Sequence, residues 1–333
     1  MACGMHVILQ RDRVPIARAR GEEKWMTGQG RSGIRTIFCA TDFSDTSALA
    51  VRHATALARR HGADLVLAHV IEPLPVDPYP LPMALPEGEA ELRERAVAKL
   101  SELAASLRDE GLAVEVEHAV GPPGPRLVEL IEKTAPQLVV IGTRGQTGLQ
   151  HLLLGSTAEH VVRRAPAPVL TIHPDDERML DHARRVVVPT DLSEDAAVAI
   201  ETFARLFAPE DAPKIELAFA DSTPPYLDAM SHEGLAKGGL PDARRDELVK
   251  HLEPMLARLR DDGFEVELQI LDGGPVEAIT GLADVDGADM IVMSTHGHSA
   301  LVNFLLGRTA QRVVQRASCP VLTVCPKRRL AAG

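Results

Sequence analysis

The sequence predicts an α/β protein built from two tandem units, each a doubly wound parallel sheet with helices between its strands. Three observations predict it. Short apolar runs rich in β-branched residues alternate with amphipathic stretches, the signature of strand–helix–strand units. The pattern of the first half returns in the second at an offset of 149 to 152 residues, which indicates duplication. The length, 333 residues, suits two domains of ordinary size.

In the first half, Thr36-Ile37-Phe38-Cys39-Ala40 is a short apolar strand. It ends in Thr41-Asp42-Phe43-Ser44-Asp45, where Ser44 or Asp45 can cap a helix. That helix runs to about His61, carries Ala48, Val51, Ala54, Leu57 and Ala58 on one face, and stops at Gly62. Leu65 to Val70 is the second strand. Six prolines from Pro73 to Pro86 forbid regular structure and give a long loop. Residues 89 to 109 form a charged amphipathic helix ended by Gly111, and Ala113 to Ala119 alternates apolar with polar residues, as an edge strand does. Pro125 to Thr134 is the third helix. Val139, Val140 and Ile141 read as a buried parallel strand, Ala158 to Val162 as the first turns of a helix, and Val169 to Ile172 closes the unit.

The second half repeats these features. Val188-Pro189-Thr190-Asp191-Leu192-Ser193 returns Cys39-Ala40-Thr41-Asp42-Phe43-Ser44, and Pro320 to Val324 returns Pro168 to Ile172. Pro174 to Arg184 reads as a polar linker. The expected organisation is an unstructured extension over 1–33, a first unit over 34–173, the linker over 174–184, a second unit over 185–326 and a tail over 327–333. Met26 is an alternative start, because the patterned sequence begins only at Ile34.

Between strand and helix in the first unit stand Gly142, Gly145, Gly155 and Ser156, followed by Thr157: a Gly-x2-Gly-x9-Gly-Ser spacing. Glycines let backbone N–H groups approach a ligand closely. A helix N-terminus offers unpaired donors and a favourable dipole to an anion. Together they describe a phosphate cradle. In doubly wound sheets ligands sit beyond the carboxyl ends of the strands where the winding reverses, so Asp42 and Gly142 face one crevice if their strands are neighbours. Asp42 reads either as a carboxylate for the hydroxyl or amino groups of a nucleoside or as a turn and cap residue. In the second copy Gly297, Gly307 and Thr309 remain, while Ser294 replaces the first glycine and Arg308 replaces Ser156. Arg308 loses a hydroxyl donor; it can pair with a phosphate, fill the pocket or face water.

The glycine spacing, its return, and the strand order in which both copies stand resemble the universal stress protein family over residues 34 to 326. The resemblance implies two Rossmann-like domains of the adenine nucleotide alpha hydrolase type, each an open five-stranded parallel sheet with helices on both faces. It implies ATP as ligand, with or without Mg2+. It implies adenosine contacts near Ala40, Asp42 and Val70, and phosphate contacts from Gly142, Gly145, Gly155, Ser156 and Thr157. The matching second site is Pro189, Asp191, Ala220, Gly297, Gly307, Arg308 and Thr309. It further implies an intramolecular pseudo-dimer through the last strands, a homodimer as a further possibility, and a protein partner that the sequence does not name.

Composition narrows the alternatives. A formal net charge of -11 argues against nucleic acid as a main partner, and aromatics at 3% supply no stacking platforms. Four scattered cysteines (Cys3, Cys39, Cys319 and Cys325) without a Cys-x-x-Cys pair fit a reducing cytoplasm. No run approaches the roughly 20 apolar residues needed to span a membrane. The chain has no P-loop and no protein-kinase motif set, and no catalytic constellation stands out. His296 and His298 in Thr-His-Gly-His read as surface or phosphate-facing residues rather than metal ligands. The proline-rich loop reads as a lid or spacer, or as an extended partner-binding segment, with residues 222 to 241 as its counterpart. The function expected is a nucleotide-binding sensor or regulator. A slow ATPase and an interaction scaffold with vestigial pockets are the alternatives.

Overall fold

The computed structural model describes residues 12–13, 34–73, 89–145, 154–180, 183–207, 213–221, 242–261, 263–295 and 306–325. The expectations for the proline-rich loop, its counterpart, His296, Gly297, His298, the tail and most of residues 1–33 lie outside them. In chain order the strands are β1 (Asp12–Arg13), β2 (Thr36–Ala40), β3 (Asp64–Ile71), β4 (Val114–Val120), β5 (Leu138–Gly142), β6 (Val169–Ile172), β7 (Arg185–Thr190), β8 (Lys214–Asp221), β9 (Val266–Asp272), β10 (Met290–Ser294) and β11 (Val321–Val324). The helices are α1 (Asp45–His61), α2 (Glu89–Asp109), α3 (Pro123–Thr134), α4 (Ser156–Arg164), α5 (Glu194–Leu206), α6 (Asp242–Asp261), α7 (Pro275–Asp286) and α8 (Arg308–Arg316).

Local chemistry sets these bounds. Ser44 caps α1 by accepting from the Ser47 N–H, and Gly62 closes it in the left-handed conformation (φ 62°). Helix α3 starts at Pro123, two residues earlier than the spacing predicts, because proline in a first turn gives up an N–H that has no helical partner anyway.

All strands join one sheet in the order β1-β9-β8-β7-β10-β11-β6-β5-β2-β3-β4. Each unit contributes five parallel strands, and the two sets meet where β11 pairs antiparallel with β6, Leu322 opposite Leu170. The seam carries a symmetric pair of bonds: Thr171 Oγ1 donates to the Val321 carbonyl and Thr323 Oγ1 to the Val169 carbonyl, both at 3.1 Å. Alternate strand residues feed two apolar layers. Ile37, Cys39, Leu65 and Leu67 pack on the α1 and α2 side, and Phe38, Ala40, Val66 and Ala68 on the α3 and α4 side. Both layers continue through the seam into the second unit, with Val188 and Phe203 in the first and Val187 and Ile279 in the second.

Two sequence expectations change here. Within the N-terminal extension, Asp12–Arg13 pairs antiparallel with β9 and covers part of that edge. The linker expected to be polar is packed: Leu180, Ala183 and Asp176 are buried. Asp176 Oδ2 accepts the His173 N–H at 2.6 Å and touches His173 Nδ1 at 3.1 Å. The other nitrogen of that ring, Nε2, donates to the Val314 carbonyl of α8 at 2.7 Å. The Asp176 carbonyl also accepts from His53 Nε2 at 2.8 Å, so α1, the linker and α8 are tied at one buried point. Further on, Asp289 Oδ2 accepts the N–H groups of Arg184 and Arg185 at 2.7 and 3.0 Å. Gln137 Oε1 does the same for Arg35 and Thr36 at the entry to the first unit, at 3.0 and 2.8 Å.

Candidate functional site

The winding reverses between β2 and β5: β3 and β4 lie on one side of β2, and β5 and β6 on the other. Asp42, just beyond β2, and Gly142, at the end of β5, therefore open into one crevice. The segment Thr41-Asp42-Phe43-Ser44 is a tight turn made by its own side chains. Thr41 Oγ1 accepts the Phe43 N–H at 3.1 Å, and Asp42 Oδ1 accepts from the Ser44 N–H at 3.0 Å and its hydroxyl at 2.6 Å. Phe43 is thereby held at φ 63°, a conformation that costs a non-glycine residue energy. The second copy repeats the device: Thr190 Oγ1 accepts from Leu192, Asp191 Oδ1 accepts from Ser193, and Leu192 sits at φ 66°. One oxygen of each aspartate is thus a turn former, as the structural reading of Asp42 had it.

The other oxygen of Asp42 faces the glycine loop. A Cβ added to Gly145 would lie 2.6 Å from Asp42 Oδ2, so any other residue there requires that carboxylate or the loop to move. Gly142 is packed differently: Thr46 at the start of α1 lies 3.1 Å from where a Cβ would be, a tight contact. Gly155 hangs from the loop by its N–H, which donates to the Thr143 carbonyl at 2.8 Å, while the Thr143 N–H donates to the Ile172 carbonyl at 2.8 Å. Gly155 stands at the N-cap of α4, and no side chain fills that cap. A helix start of this kind, with the hydroxyls of Ser156 and Thr157 beside its first-turn N–H groups, is chemically suited to an anion.

All eight residues predicted for the first site (Ala40, Asp42, Val70, Gly142, Gly145, Gly155, Ser156 and Thr157) line one cavity of about 900 Å³. Four separate chain segments supply them. The cavity is also lined by residues that the sequence reading missed: Phe43, His69, Arg95, Lys99, Arg144 and His160. His69 donates from Nδ1 to the Thr41 carbonyl at 2.7 Å, and its ring lies 4.5 Å from that of Phe43. Lys99 Nζ stands 4.6 Å above the other aromatic partner, the Phe43 ring. His160 packs over Gly124, where a Cβ would come within 2.8 Å of the imidazole. Position beside Asp42 and Val70 would have flagged Phe43 and His69; nothing in the sequence of α2 sets Lys99 apart from a solvated charge.

Burial holds the His69 imidazole below its ordinary value of 6.5, outweighing the Thr41 carbonyl and the Asp42 carboxylate, which act the other way. The unfolded chain then binds more protons than the folded one near pH 6, so this group makes stability fall as the pH drops through 6.5. Replacing His69 by Gln is expected to flatten the dependence of the urea midpoint on pH between 7 and 5.5. An unchanged slope would refute this account.

In the second copy the framework is the same. Gly307 donates to the Thr295 carbonyl at 2.8 Å and Thr295 to the Val324 carbonyl at 2.9 Å. Pro189 and Asp191 stand at the end of β7, Ala220 on β8, and Gly307, Arg308 and Thr309 at the start of α8. Arg308 is exposed.

Comparison with known proteins agrees with this architecture. The model of the "Universal stress protein family" matches residues 33–173 and again 182–324. A universal stress protein of Mycolicibacterium smegmatis is 27% identical over 308 residues, covering 87% of this chain and 97% of its own. One of Methanocaldococcus jannaschii is 34% identical over 149 residues, covering 43% of this chain and 84% of its own. The crystal structure of a universal stress protein from Archaeoglobus fulgidus superposes on 87% of this chain and 96% of its own with a TM-score of 0.63 at 21% identity, which shows the shared fold. With its family pattern matched twice and the same sheet in both halves, the chain belongs to the universal stress protein family.

Proposed function

We propose that the chain binds adenine nucleotide, ATP foremost, in its first unit and serves in the cytoplasm as a sensor or regulator in a stress response, not as an efficient enzyme. Residues 34–173 are the binding unit and residues 185–326 its weaker counterpart, joined through 174–184. The observation that supports this best is the convergence of the eight predicted residues on one cavity of about 900 Å³. Its two ends differ in chemistry. Ala40, Val70 and Ile141 make an apolar end suited to a base. Gly145, Gly155, Ser156 and Thr157 make a polar end, with the N-terminus of α4 and two hydroxyls suited to phosphate. Mg2+ would accompany the triphosphate as its counter-ion. No described helix is long and apolar enough to cross a membrane.

Gentle purification, denaturation and mass spectrometry of the released small molecules test the reading. One ATP per chain is expected, with the first site filled. Release of no nucleotide, together with no rise in melting temperature on adding ATP, would overturn it.

A further inference from the structure

The cavity of the first site has a second wall that the glycine spacing does not describe. Helix α2 lines it with Leu92, Arg95, Ala96 and Lys99, which brings an arginine and a lysine one helical turn apart to the same cavity as the cradle. Lys99 is placed, not merely present. Its Nζ rests 4.6 Å over the Phe43 ring, on the turn whose neighbour Asp42 abuts Gly145. Among the described residues Lys99 has no carboxylate within ion-pair distance, and its charge is felt at His69 on the same wall. At the matching positions of the second unit, α6 carries Glu247 and His251, and His251 Nδ1 turns to the Glu247 carbonyl at 2.9 Å. The lysine of the first copy is thus not repeated at its matching position in the second.

We propose that Lys99 is the residue through which the first site counts phosphates, favouring a nucleoside triphosphate over a monophosphate or a cyclic monophosphate. The inference rests on the nucleotide reading above and goes further, since the α4 cradle alone accounts for one phosphate. A monophosphate seated at the N-terminus of α4 satisfies that helix. A longer chain has further charges, and these find a cation on the opposite wall. Phe43 holds the ammonium in place by a cation–π contact.

Binding of ATP, ADP, AMP and cAMP to the full chain, measured by calorimetry for the native protein, Lys99→Met and Lys99→Arg, tests it. Methionine keeps an apolar stem over Phe43 and removes only the charge. Loss of one charge-assisted contact is worth about 10-fold, so Lys99→Met is expected to weaken ATP by about 10-fold and AMP by less than about 2-fold. Lys99→Arg is expected to keep the native order, and the gap between ATP and AMP to narrow with added salt. Equal losses for ATP and AMP would show a packing role and overturn the proposal, as would no change for either. Native protein that binds ATP and AMP equally well would overturn this inference while leaving the nucleotide reading in place. Native protein that binds no adenine nucleotide would overturn both.

Discussion

Gly145→Ala is expected to cost the first site roughly 30-fold in ATP affinity, about 2 kcal/mol, with a much smaller change in the stability of the unliganded chain. A methyl group there would lie 2.6 Å from Asp42 Oδ2. The carboxylate cannot simply swing away, because its other oxygen holds the Ser44 N–H at 3.0 Å and the Ser44 hydroxyl at 2.6 Å. Either those bonds break and the capped turn before α1 loosens, or the glycine loop retreats from the cradle. Both displace a binding group. The check is a double-mutant cycle with Asp42→Ala. Removing the carboxylate relieves the clash, so the two losses should fall well short of additive. Additive losses, or a Gly145→Ala protein with native affinity, would refute this geometry.

Asp176→Ala is expected to lower the unfolding free energy by about 1 to 3 kcal/mol, the cost of leaving a buried donor without its acceptor. The substitution leaves the His173 backbone N–H without its acceptor and strips the carboxylate from beside the His173 ring, in a site where Asp176 is 4% exposed and His173 9%. The loss should be felt by both units, because the same imidazole bonds the Val314 carbonyl of α8 and the Asp176 carbonyl holds His53 of α1. Urea unfolding followed by a probe in each unit measures it. A midpoint that moves in only one unit, or by less than about 1 kcal/mol, would show that the linker is not part of the common core. Its contrast with Gly145→Ala is informative: one variant should spare stability and lose ligand, the other should do the reverse.

Much of this molecule was legible in the residues. The strands could be read because each is buried on both faces. A parallel strand between two helical layers has to be apolar at every position, and Ile37-Phe38-Cys39-Ala40 sends alternate side chains to opposite cores. The turn Thr41-Asp42-Phe43-Ser44 was legible because its hydrogen bonds close within four residues, and its return as Thr190-Asp191-Leu192-Ser193 showed that the fold is used twice. The glycines were legible because of their spacing, and at Gly145 a side chain would press on the Asp42 carboxylate.

What the tertiary structure decided was everything that depends on two distant segments meeting. The linker reads as polar in isolation, yet Asp176 and Leu180 are buried, since hydrogen bonds from His173 and His53 satisfy that polarity only once α1 and α8 have come together. Packing adds a second demand at Gly142 for the same reason: Thr46 of α1 lies 3.1 Å from where a Cβ would stand, a closeness that the spacing of the glycines does not reveal. Lys99 could not have been singled out at all. On an amphipathic helix with charges on most of its outer positions, one lysine resembles the next, and only the packing of α2 against β3 and β4 brings this one over Phe43 and into the cavity. Local periodicity and backbone sterics are written in consecutive residues, so the sequence by itself determined the strands, the capped turns and the duplication. Which charges share a pocket is set by how helices cross the sheet, and that was settled only by the fold.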